Sequence, residues 1–131
     1  MKPRIALVTI LTNNVPVLVQ FYREVIGFQV KGEPGDYAEF ECEGVRFAVC
    51  SRSIMQTATN HPSYAEAPRG HSFELAFPLD SPDAVDKTFA DIVAKGATSI
   101  KAPENMPWGQ RTAFFADPDG NIHELFADLS S

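Results

Sequence analysis

The sequence predicts an α+β fold made of two tandem βαβββ modules, residues 1–53 and 71–131, joined by a connection over 54–70 within a single domain, 1–131. Three observations predict it. Two amphipathic helical stripes occur, each opened by an Asn or Ser cap with Pro in the first turn and closed by Gly. Each stripe follows a β-rich run and precedes a short strand and a hairpin. Spacings also repeat between the halves. Leu7 precedes Asn14 by seven residues as Glu74 precedes Ser81, and Ala48 follows Gly44 by four as Glu124 follows Gly120.

Taken in order, Ile5 to Leu11 is apolar throughout, as in a strand covered on both faces. Asn14 and Pro16 start a helix whose buried stripe is Leu18, Phe21, Tyr22 and Val25, and Gly27 stops it. Phe28 to Lys31 is a short strand. Tyr37 to Cys42 and Val45 to Ser51 form a hairpin around Glu43-Gly44. Pairing about that turn puts Ala38, Phe40, Val45, Phe47 and Val49 on one face; Tyr37, Glu39, Glu41, Arg46, Ala48 and Cys50 take the other. Ile54 to Gly70 has no clean period, carries Pro62, Pro68 and Gly70, and reads as a connection. Ser72 to Phe77 is then a strand. Ser81-Pro82 starts the second helix, with Val85, Phe89, Ile92 and Val93 as its stripe and Gly96 as its stop. Thr98 to Lys101 is a short strand, and Ala102 to Gly109 a loop.

The last hairpin, Arg111 to Phe126, turns on Asp117-Pro118-Asp119-Gly120, where Pro sets φ and Gly accepts positive φ. Counting from that turn puts Ala113, Phe115, Ile122, Glu124 and Phe126 on one face, and Thr112, Phe114, His123 and Leu125 on the other. Glu124 is a carboxylate among apolar neighbours, which implies a pocket or an ion pair. By the internal spacing Leu7 matches Glu74 and Ala48 matches Glu124. All four are expected on the face opposite the helices.

Net charge is −6 with no basic run, which argues against a nucleic-acid partner. The apolar run Ile5 to Leu11 is far too short to span a bilayer and lacks a cleavage site, so a cytoplasmic protein without a membrane partner is expected. Cys42 and Cys50 face opposite sides of their hairpin and are expected as reduced thiols.

The paired modules, the run Phe21, Tyr22, Ile26, Gly27, Phe28, the helix end Lys95-Gly96-Ala97, and PWGQR…F.DPDGN.HEL near the C-terminus together resemble the vicinal oxygen chelate superfamily. That group includes glyoxalase I, bleomycin-resistance proteins, fosfomycin-resistance enzymes and extradiol dioxygenases. The resemblance implies a concave, largely antiparallel sheet around a central pocket, and a homodimer. It also implies that metal ligands, where used, come from the first and last strands of each module. Those positions are Leu7, Ala48, Glu74 and Glu124 here. Only the two glutamates can ligate, and the family's usual histidines are missing from these positions. No cofactor is therefore expected; a divalent metal such as Mg²⁺ or Mn²⁺ would rest on Glu74, Glu124 and several waters.

The expected function is a small-molecule-binding protein of the bleomycin-resistance type with an incomplete metal site. Two alternatives stand beside it. One is a divalent-metal-dependent lyase, isomerase or dioxygenase with Glu124 and Glu74 as catalytic residues. The other is a non-catalytic scaffold or regulator. The expected ligand pocket comprises Trp108, Phe115, Arg46, Arg111, Leu7, Ala48, Cys50 and Phe126. Arg46 and Arg111, counted onto the same faces as the glutamates, either fix ligand polarity or simply neutralise those carboxylates. Trp108 either stacks on a flat ligand or anchors its loop. Phe115 and Phe126 line the cavity or belong to the core. Cys50 has only Arg46 to lower its pKa. His71 and His123 fall on the helix side as partly buried hydrogen-bonding residues, and His61 lies in the connection, solvated.

Overall fold

Asn14 sets the first helix. Its side-chain oxygen accepts from the Val17 amide at 3.3 Å, Pro16 sits in the first turn, and α1 (Val15–Gln20) runs on into a π-helical segment, Phe21–Ile26. Gly27, at φ +106°, ends it. The computed structural model describes residues 1–129, and the chain divides into two compact units, Met1–Arg69 and Gly70–Ser131.

In the first unit α1 is flanked by β1 (Leu7–Thr12) and three further strands: β2 (Val30–Lys31), β3 (Tyr37–Phe40) and β4 (Arg46–Ser51). They form one sheet of order β1-β4-β3-β2, with β1 and β4 parallel and the other pairs antiparallel. Tyr22, on the helix, packs its ring 5.1 Å from Phe47 and 6.0 Å from Phe40, and Leu18 is fully buried. Offset and edge-on aromatic contacts of this kind add to simple area burial. They also fix which sheet face the helix covers. Phe40, Phe47 and Val49 lie under it; Leu7, Thr9, Glu39, Arg46, Ala48 and Cys50 lie on the open face, as the alternation predicts.

The second unit repeats this order. β5 (Ala76–Pro78), α3 (Pro82–Ala94), β6 (Thr98–Met106), β7 (Gln110–Ala116) and β8 (Ile122–Asp128) give a sheet of order β5-β8-β7-β6, again with first and last strands parallel. Ser81 caps α3 by accepting from the Ala84 amide at 3.1 Å. Val85, Phe89 and Ile92 are its buried residues. The spacing argument survives at the level of register. Thr9, two residues after Leu7, pairs with Ala48, and Ala76, two residues after Glu74, pairs with Glu124.

Several boundaries differ from expectation for identifiable reasons. Ile54 to Gly70 is not a bare connection. α2 (Arg52–Thr59) and a 3₁₀ turn (Pro62–Ala65) occupy most of it, held by Arg52 donating to the carbonyls of Tyr64 and Glu66, each at 3.0 Å. No residue of α2 is buried, and its eight residues are too few for the apolar positions Ile54, Met55 and Ala58 to declare a helical period in the sequence. β6 runs to Met106 instead of ending at Lys101, which leaves only Pro107 to Gly109 as a turn. It is an edge strand with register shifts on either side of Lys101, which is how it accommodates Pro103. β5 is shorter than Ser72 to Phe77. Phe73 is 56% exposed and His71 is exposed, so neither belongs to the core under α3. Among the described residues, no helix is long and apolar enough to cross a membrane.

Candidate functional site

Arg111 identifies the two faces of the second sheet. Its Nε and Nη2 donate to both carboxylate oxygens of Asp86 on α3, at 2.7 and 3.1 Å, so Arg111 points to the helix side. Alternation along β7 then puts Ala113 and Phe115 on that side, with their register partners Leu125 and His123. Phe115 is fully buried, its ring 5.8 Å from His123 and 6.0 Å from Phe77. The opposite, open face carries the pairs Thr112 with Phe126, Phe114 with Glu124, and Ala116 with Ile122.

This corrects the expected faces by one residue along β7. Phe115 and Arg111 do not share a face with Glu124; Phe114 and Thr112 do. The cause is the turn. Ala116 pairs with Ile122, so five residues are enclosed where a four-residue bend was counted, and an odd change in loop length flips every side chain on one arm. Asp117 holds the longer turn. Its Oδ1 accepts from the amides of Asp119 and Asn121, both at 3.0 Å, and its Oδ2 from the Asn121 side chain at 2.9 Å.

Glu124 is half-buried. Its amide donates to the Leu75 carbonyl at 2.9 Å, which locks the strand but leaves the carboxylate to other groups. Arg111 does not neutralise it, being held by Asp86 and also donating to Asn105 at 2.9 Å. Arg46 belongs to Glu39, donating from Nε at 2.9 Å and Nη2 at 2.7 Å. Burial pushes the Glu124 carboxyl above the ordinary range, and the charge of Glu74 pushes it further the same way. Glu74 is exposed and precedes β5.

The remaining residues of this face are few. Thr112 is 1% exposed, and its Oγ1 has no hydrogen-bond partner, an uncommon state for a buried hydroxyl. Phe114 and Phe126 are half-buried. Lys101, the register partner of Phe114 on β6, is tied to Glu104 at 2.8 Å. Gln110 donates to Asp128 at 3.3 Å and accepts from the Trp108 indole at 3.1 Å. Trp108 is 58% exposed at that end of β7. Gln110 stands four residues, roughly 14 Å, along the strand from Phe114.

In the first unit the same open face is chemically quiet. Arg46 holds the Glu39 carboxyl down at about 2, with the Tyr37 hydroxyl donating at 3.0 Å and Lys31 at 3.9 Å. Ala48 is fully buried and Leu7 half-buried. Both cysteines are free; burial pushes the Cys50 thiol up and Asp36 adds to it, which opposes thiolate reactivity. A groove of about 550 Å³ in this unit, lined by Asn13, Val15, Val19, Arg23, Pro34 and Asp36, lies at the start of α1. It does not include the open-face positions Leu7, Ala48 or Cys50.

His123 is buried on the helix side, as expected. Its Nδ1 accepts from the Leu75 amide at 3.2 Å, which places the proton of the neutral ring on Nε2, 3.9 Å from Asp117. Burial lowers its pKa, with Asp117 opposing. His61, exposed, caps the Pro62–Ala65 turn through Ser63. Among the described residues, no group of three or more His, Cys, Asp or Glu side chains is gathered as a metal site. Glu74 and Glu124 alone are too small a donor set to fit a tightly held ion.

Sequence reasoning missed Phe114, Thr112 and the Glu39–Arg46 pair. The first two required the loop length. The third was available, since Glu39 and Arg46 were already counted onto one face of one hairpin.

Comparison with known proteins agrees with this fold. The family model described as Glyoxalase/Bleomycin resistance protein/Dioxygenase superfamily matches residues 4–125. YraH, an uncharacterized protein of Bacillus subtilis (strain 168), is 27% identical over 126 residues, 93% of this chain and 96% of its own length. The crystal structure of a glyoxalase/bleomycin resistance protein/dioxygenase from Nocardioides is 28% identical with a TM-score of 0.88, covering 100% of this chain and 87% of its own. That of a family enzyme from Burkholderia phytofirmans PsJN is 25% identical with a TM-score of 0.85, covering 95% and 98%.

Proposed function

Because this chain belongs to the Glyoxalase/Bleomycin resistance protein/Dioxygenase superfamily, we propose that it is a small-molecule-binding protein of the bleomycin-resistance type, with an incomplete metal site and a homodimeric assembly. The ligand lies on the open face of the second module, over the Phe114–Glu124 rung. One observation carries this reading. Glu124 is a half-buried carboxylate with a raised pKa whose side chain has no hydrogen bond or ion pair among the described residues of its module, beside half-buried aromatic rings. Such a group costs stability where it stands, and perturbed, unpaired carboxylates of this kind cluster at functional sites. Leu7 and Ala48 cannot ligate, which weighs against the metal-dependent enzyme.

The test is a mapping experiment. An NMR screen of small aromatic molecules against the ¹⁵N-labelled protein is expected to shift the amides of Phe114, Glu124 and Phe126, leaving Leu18 and Val19 of α1 unmoved. Elemental analysis after dialysis is expected to find no stoichiometric transition metal. Near-stoichiometric Zn, Ni or Fe, lost on Glu124→Gln, would overturn the binding reading in favour of the metal-dependent enzyme.

A further inference from the structure

The open face of the second module has a charge balance that selects among ligands. Its carboxylates are Glu124, with Glu74 acting on it, together with Glu104 on the edge strand β6 and Asp128 at the far end of β8. Its one strand-borne cation is Lys101, already tied to Glu104 at 2.8 Å. The module's arginine, Arg111, is turned to the helix side and shared between Asp86 and Asn105. Among the described residues of this module, no strand-borne cation is therefore left over beside Glu124. The ring of Phe114 stands directly across from Glu124, and Phe126 follows it on the same strand and face. Aromatic faces attract cations, and so do carboxylates; both repel anions.

Resting on the ligand face proposed above, we propose that the ligand is an organic cation: a protonated amine or guanidinium on a flat apolar body. The cationic head sits against Glu124 and Glu74, and the apolar body covers Phe114 and Phe126. An anionic ligand would meet two carboxylates with no counter-charge. A neutral one would leave Glu124 uncompensated. Net charge −6 favours the approach of cations over long range.

Three probes with the same phenethyl body and different head charge test this: phenethylammonium, 2-phenylethanol and 3-phenylpropanoate, titrated by NMR into the intact protein at low salt. Phenethylammonium is expected to bind most tightly, with the largest shifts at Phe114, Glu124 and Phe126. Glu124→Gln should weaken it by about tenfold or more while leaving 2-phenylethanol within about twofold. Glu74→Gln, at an exposed position where the fold is not at risk, should weaken it in the same direction by less. If 3-phenylpropanoate binds this face as tightly as the cation, or Glu124→Gln leaves the order unchanged, the cation assignment is wrong and the ligand face stands. If Mn²⁺ displaces phenethylammonium and broadens Glu74 and Glu124, the cation is a metal ion and the proposal fails. If none of the three probes moves these residues, the ligand face itself is wrong.

Discussion

On the open face of the first sheet, Glu39 receives Arg46 at 2.9 and 2.7 Å, takes a bond from Tyr37, and has Lys31 nearby. On the open face of the second, Glu124 meets Phe114 across the strand and the charge of Glu74. The two sheets share strand order, direction and register, down to the pairing of Thr9 with Ala48 and Ala76 with Glu124. Backbone pattern therefore does not decide where chemistry lies; side-chain satisfaction does. One module has closed its face by neutralising its carboxylate and placing a fully buried Ala48 where the other has Glu124. The second keeps an unbalanced carboxylate, and the proposed division of support from function between the modules rests on that difference.

Exchanging the two equivalent residues should break this comparison most strongly. Ala48→Glu puts a carboxylate at a fully buried position directly beside Glu39, its register partner, and is expected to cost more than about 3 kcal/mol in urea unfolding. Glu124→Ala removes a group with no bond to lose in its module and should change stability by less than about 1 kcal/mol in either direction. Equal costs for the two would mean that the modules treat this position alike, and the division proposed above would fall.

A smaller effect tests what sets the second face. Gly120 has φ +84° in the turn that Asp117 holds, with nothing within 4 Å of where a Cβ would stand. Gly120→Val should therefore cost more than about 1 kcal/mol through backbone strain alone. A variant melting with the parent would show that this turn does not depend on a left-handed glycine.

The same turn marks how far the sequence could be read. Caps, stops and stripes gave both helices and the tandem repeat, because Asn14, Ser81, Gly27 and Gly96 act locally. Facing along β8 was also legible, since strand alternation needs no partner. Facing along β7 was not. It depends on whether the turn encloses four or five residues, which Asp117 decides through bonds formed only once the chain has bent. Hence the sequence places Glu124 on its face of β8 but gives it Phe115 and Arg111 as neighbours, where the register gives Phe114 and Thr112. α2 escaped for a different reason: it is anchored by Arg52 to backbone carbonyls and has no buried stripe to read.

The smallest effect is also the most diagnostic, because the two glutamates should titrate in opposite directions from the unfolded value of about 4.3. Glu39, held down at about 2 by Arg46, contributes stability that is present above the unfolded value and fades as pH falls toward its folded one. Glu124, pushed up by burial and Glu74, has the reverse sign. Its contribution is fully present below the unfolded value and is lost as pH rises through its folded one, where the carboxyl must ionise beside apolar neighbours. His123, lowered by burial, adds a loss of stability as pH falls below about 6.5. A bulk denaturation profile mixes all three, so side-chain carboxyl ¹³C shifts are the right readout. Glu39 should reach its midpoint well below Glu124. Arg46→Met should carry Glu39 upward toward the ordinary value and leave Glu124 where it is, and Glu74→Gln should lower Glu124 and leave Glu39 unchanged. A common midpoint for the two glutamates in the parent protein would erase the electrostatic difference between the modules, and with it the reason for placing the ligand on the second.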